Sequence, residues 1–114
     1  MTDDGFECVT GAVPAPGELR AARLADGSAV CVGNIGDALF AIRDECSHAG
    51  FPLSEGSLLA DGVLECAWHG ARFDCRTGRS LDEPPFDSVE RFDLRVSGGA
   101  IWVRRAAPAR ETGA

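Results

Sequence analysis

Apolar residues along this chain fall in short runs set apart by turn signals, and no segment of ten or more residues keeps a 3.6-residue apolar period with caps. The pattern predicts strands rather than helices. Residues 6–10 read as a first strand, ended by Pro14-Ala15-Pro16-Gly17, where proline removes the ladder donor. Residues 18–24 and 28–32 flank Ala25-Asp26-Gly27, an Asp-Gly turn that supplies the positive φ of a tight hairpin. A second hairpin runs from 29–32 through 33–37 into 38–42. Residues 44–54, with Cys46, His48, Gly50 and Pro52, show no alternation and read as a loop. A short strand, 63–66, follows Asp61-Gly62, and residues 66–70 form a second irregular loop resembling the first. Residues 71–74 and 79–81 flank Arg76-Thr77-Gly78. After Glu83-Pro84-Pro85-Phe86 comes an imperfect alternation at Val89, Arg91, Phe92, Leu94 and Val96. Gly98-Gly99 then turns the chain into a last strand, 100–103, and residues 104–114 read as a polar tail. The fold class is all-β, a single domain over 1–103.

Length changes this picture little: 114 residues give room for one modest core. No apolar run approaches the roughly 18 to 20 residues that span a bilayer, and Met1-Thr2-Asp3-Asp4-Gly5 has no basic leader, so a cytoplasmic protein is expected. Charge excludes more. The formal net charge is −7, and all eleven cations are arginines scattered among more numerous carboxylates. Nucleic-acid binding needs a basic stripe that displaces counterions, and none is present. The acidic balance suits a partner with a basic docking face. Five cysteines, an odd number, argue for metal binding or burial over a disulfide framework.

Both histidines lie beside a cysteine, in Cys46-Ser47-His48 and in Cys66-Ala67-Trp68-His69. Each loop thus offers one soft thiolate and one imidazole. A structural zinc site can use two of each, but the usual finger puts its cysteines in one knuckle and its histidines on a helix. Mixed loops suit a two-iron site in which one iron takes both thiolates and the other both imidazoles. Ordinary histidines would leave the pairing unexplained. Cys8 and Cys31 read as small buried thiols in strands, and Cys75 as a bystander. The carboxylate pairs Asp44-Glu45 and Asp82-Glu83 read as solvated turn charges. Phe51 and Leu53 read as an apolar rim, with Trp68 either rim or core.

Cys46-Ser47-His48-Ala49-Gly50 and Cys66-Ala67-Trp68-His69-Gly70-Ala71-Arg72-Phe73-Asp74, followed by Thr77-Gly78, resemble the two cluster loops of Rieske proteins. The closer likeness is to the small Rieske ferredoxins serving bacterial ring-hydroxylating oxygenases. The resemblance implies one Rieske-type [2Fe-2S] cluster, with Cys46 and Cys66 on the inner iron and His48 and His69 on the outer one. It implies small antiparallel sheets with a cluster-binding part at about 44–86, covered by a loop at Pro84-Pro85. It further implies a one-electron carrier that is not itself an enzyme, a monomer docking near His48 and His69. Its transient partners would be a flavin-dependent NAD(P)H reductase and a terminal non-haem iron oxygenase.

In the respiratory branch of that family each cluster loop carries an extra cysteine, where this chain has Phe51 and Trp68, so no cluster disulfide is expected. Ala71 and Phe73 replace the hydroxyl donors to cluster sulfur. Fewer donors predict a potential low in the roughly −150 to +300 mV Rieske range. Two other readings stay open: a small Rieske-like subunit of a nitrite reductase, and a zinc-stabilised interaction module without redox function.

Overall fold

A computed structural model describes residues 5–36, 38–46, 51–67, 70–82 and 88–105. Nine strands occur in it: β1 (Glu7–Thr10), β2 (Leu19–Arg23), β3 (Ala29–Asn34), β4 (Leu39–Arg43), β5 (Ser57–Leu59), β6 (Val63–Glu65), β7 (Arg72–Asp74), β8 (Phe92–Ser97) and β9 (Ala100–Arg105). They form three antiparallel sheets of three strands each, ordered β1-β9-β8, β2-β3-β4 and β5-β6-β7. The all-β expectation holds. No helix among the described residues is long and apolar enough to cross a membrane.

The continuous apolar runs of β3 and β4 have a specific cause, since a strand buried on both faces has no polar face to alternate with. Cys31, Phe40 and Ile42 point into one apolar cluster, while Val30, Val32 and Ala41 point into another. The sheet β2-β3-β4 is therefore a middle layer. One cluster joins it to β8 and β9 through Phe92, Ile101 and Val103, and the other joins it to β6 and β7 through Leu64 and Phe73. Gly33 faces Phe40 across the β3–β4 pair, and a Cβ there would collide with the Phe40 ring.

The chain leaves the middle sheet at Arg43 and comes back at residue 90. There the Arg43 amide donates to the Glu90 carbonyl at 2.8 Å, and Ile42 bridges Arg91. Between these points lies the third sheet with its two irregular loops.

Several expectations require correction. Strand β5 is absent from the pattern reading because three residues are too few to show a period. Residues 79–81 form no strand, and only Ser80 bridges Phe73. Strand β9 runs to Arg105, two residues into the expected tail, because Phe92 pairs with Arg105 and Asp93 with Arg104. Cys8 is exposed, since it lies on the outer face of an edge strand opposite Trp102. Residues 106–114 and the segment carrying Pro84 and Pro85 lie outside the described residues.

Candidate metal centre

The two loops start from different elements but close alike. Cys46 follows β4 after the bend Asp44-Glu45, and its amide donates to the Phe51 carbonyl at 2.8 Å. Cys66 follows β6 directly, and its amide donates to the Ala71 carbonyl at 2.7 Å, one step beyond the Glu65–Arg72 pair of the β6–β7 ladder. In both loops the cysteine is tied to the residue five positions on. The backbone thus fixes each thiol at the mouth of a loop of the same length.

Cys46 and Cys66 are each only 1% exposed and share one apolar cluster with Leu53, Leu64, Ala71 and Phe73. Phe51 is half-buried and packs against that cluster. Leu53 is wholly buried, so the expected rim holds for neither its exposure nor its place; a 3-10 turn, Leu53–Glu55, drives its side chain inward. His48, His69 and Trp68 lie outside the described residues, and among the described residues no three of His, Cys, Asp and Glu gather as metal ligands. The described half of the candidate ligand set is therefore a pair of thiols in a dry setting. Its chemistry suits iron and sulfide: soft donors, screened from water, on backbone fixed by hydrogen bonds.

Two more thiols lie in the same cluster. Cys31 and Cys75 are both fully buried, and neither starts a closed loop. Burial drives the Cys31 thiol pKa well above its usual value, with Asp44 and Cys75 adding to the effect. Burial pushes the Cys75 thiol up to about 12, with Asp74 contributing. Such thiols act as core side chains. Cys75, expected to be a bystander, is a fully buried member of that cluster.

Asp44 is another residue that sequence reasoning misplaced. Read as a solvated turn charge, it is buried at 8% exposure, because its two carboxylate oxygens accept from the Ser54 amide and the Ser54 hydroxyl, each at 2.6 Å. No periodicity or motif links residues 44 and 54, so nothing in the sequence signals the pair. The second loop is braced more openly: Asp82 accepts from the Arg72 amide at 3.1 Å, and the Arg72 guanidinium lies 3.4 Å from Glu65.

With this geometry in hand, likenesses to known proteins are informative. The model of the Rieske [2Fe-2S] domain matches residues 6–93. The chain is 34% identical over 98 residues to the 3-phenylpropionate/cinnamic acid dioxygenase ferredoxin subunit of Escherichia coli, covering 86% of this chain and 90% of that one. Among solved structures it resembles the ferredoxin of carbazole 1,9a-dioxygenase from Nocardioides aromaticivorans, with a TM-score of 0.77 and 34% identity over 90% of this chain and 99% of the other. It also resembles a chain in the complex of reduced oxygenase and oxidised ferredoxin in carbazole 1,9a-dioxygenase, with a TM-score of 0.79 and 28% identity over 90% and 97% of the two chains.

Proposed function

The chain belongs to the Rieske [2Fe-2S] domain family, and from that premise we propose that Cys46 and Cys66 hold one iron of its cluster while His48 and His69 hold the other. The observation carrying this reading is the pair of matched loops, each closed from its cysteine amide to the residue five positions on, with both thiols in one buried cluster.

The protein is a ferredoxin, an electron-transfer component rather than an enzyme, like its dioxygenase relatives. When bound, the cluster takes up and releases a single electron, its core neutral when oxidised and singly negative when reduced. This chain's residues make that exchange selective. Leu53, Leu64 and Phe73 keep water from the thiol side, and the β4 and β6 ends fix both sulfurs, so little rearranges between states. The imidazoles of His48 and His69 would be the exit for the electron and the site of any coupled proton.

A terminal oxygenase is the acceptor we propose, supported by the relatives' dioxygenase names and by the neighbour solved with its oxygenase. A flavin-dependent NAD(P)H reductase is the donor, docking in turn at the same face. A cytoplasmic location follows from that division of labour.

The test is a low-temperature EPR spectrum of the dithionite-reduced protein with iron and acid-labile sulfide assayed alongside. Two irons, two sulfides and a rhombic signal of low average g are expected of a Rieske cluster. Colourless protein carrying zinc would overturn the reading.

A further inference from the structure

Among the described residues Asp44 is the one buried charged side chain, and packing alone does not call for it. Removing a carboxylate from water is costly unless donors replace the lost hydration. Ser54 supplies two, its amide and its hydroxyl, both at 2.6 Å. Ser54 belongs to the 3-10 turn Leu53–Glu55, whose N-cap, Pro52, makes no side-chain cap bond. The Ser54 amide is thus an unsatisfied donor at the start of the turn, and Asp44 caps it from across the loop. On its own backbone, Asp44 donates its amide to the Ala29 carbonyl of β3 at 3.0 Å. A continuous line of hydrogen bonds therefore runs from the middle sheet through Asp44 to the turn, spanning the loop that starts at Cys46.

We propose that Asp44 is a positioning residue for Cys46: its two bonds to Ser54 pin the far side of the loop to the middle sheet and hold the thiol where iron is gripped. This rests on the ligand reading above. Without the clamp, the loop keeps the Cys46–Phe51 backbone bond and the burial of Leu53. Both resist unfolding, and Leu53 packs the turn toward β3 in the cluster that includes Cys31, but apolar packing is non-directional and does not set the turn's orientation as the two Asp44–Ser54 bonds do. Groups hydrogen-bonded to a metal ligand commonly change metal affinity by about 10- to 100-fold when lost, and Asp44, bonded to Ser54 and Ala29, acts one step further out, so an effect near the lower end is expected.

The test compares the holoprotein with Asp44→Ala, Asp44→Asn and Ser54→Ala. Readouts are the rate of iron loss to excess chelator, the EPR spectrum of the reduced protein, and melting with and without cluster. Asp44→Ala is expected to lose iron about 10-fold faster than the parent, with altered g values. Asp44→Asn is expected to restore most of the retention, since its amide oxygen accepts from the Ser54 amide and its NH2 group donates to the Ser54 hydroxyl. Ser54→Ala, which keeps only the amide bond, should fall between.

Parent-like iron retention and EPR in Asp44→Ala would overturn the proposal. So would lowered melting with an unchanged spectrum, the mark of a purely structural role, or an Asp44→Asn no better than Asp44→Ala. Should Asp44→Ala fail to fold, Ser54→Ala decides: faster iron loss supports the clamp, and parent-like behaviour overturns it. A parent lacking iron and sulfide would sink the ligand reading itself, whereas a loaded parent with indifferent variants sinks only the role of Asp44.

Discussion

Arg105 Nη2 lies 3.1 Å from Asp26 Oδ2, joining the last described residue to the β2–β3 turn across 79 positions of sequence. The same guanidinium reaches the Ser28 hydroxyl at 2.6 Å and Glu90 at 2.7 Å. One side chain at the end of β9 thus ties the β2–β3 turn to the segment entering β8.

The Ser28 hydroxyl, the Ser28 amide and Arg105, in that order, hold the Asp26 carboxyl down at about 2 from its usual 3.8. A carboxyl whose folded pKa is depressed stabilises the fold fully above its unfolded value and loses that contribution as pH falls through the folded one. The stability gap between the parent and Asp26→Asn should therefore be present at neutral pH and close between pH 3.8 and about 2. Following the Asp26 carboxyl carbon by NMR should give a midpoint near 2; an ordinary midpoint near 4 would contradict the contact.

Thiol reactivity should divide the cysteines cleanly. Cys8 is exposed, while burial raises the pKa values of Cys31 and Cys75. In native protein treated with iodoacetamide at about pH 8, Cys8 should be modified while Cys31 and Cys75 are spared, since only thiolate reacts. Peptide mass mapping reads the result, and comparable labelling of Cys75 would refute the packing described.

Gly78 has φ of +80°, and a Cβ there would collide with the Val89 carbonyl. Its own carbonyl accepts from the Val89 amide at 2.8 Å, so the two segments cannot separate without breaking that bond. Gly98 also has positive φ, +62°, but has open space around it. Gly98→Ala should cost the conformational strain alone, about 1 kcal/mol, and Gly78→Ala clearly more. Urea denaturation of the two variants checks the order.

Phe73 is fully buried, pairs with Leu64 and packs in the cluster that holds both candidate iron-binding cysteines. Phe73→Ala should lower stability by about 3–5 kcal/mol by opening a cavity. Because that cavity borders the thiols, chelator-driven iron loss should accelerate as well. Unchanged loss with the expected fall in stability would separate the core from the centre.

Much of this molecule was legible as pattern. Asp26-Gly27 marked one hairpin and Gly98-Gly99 another, because a turn needing positive φ restricts residue type at one or two positions. Cys46 and Cys66 stood out because cysteine beside histidine at a short spacing is rare by chance, and the fold brings both into one buried cluster. What escaped was set by contacts distant in sequence. Asp44 looked like any turn carboxylate until Ser54 folded against it, and Leu53 looked like a rim residue until its turn faced the core. Cys8 shows the converse, since a strand's composition does not say which of its faces meets water.

The touching ends at Arg43 and Glu90 make residues 44–89 a detour that departs from and returns to nearly the same point. Its inner face is nonetheless bound to the middle sheet, because Leu64 and Phe73 share a core with Cys31, Phe40 and Ile42. The base, whose β1 and β9 bring the two ends of the described chain together, is in this sense a socket, and the sulfur-bearing insert a plug whose outer side is open to variation while its seat is fixed by that shared core.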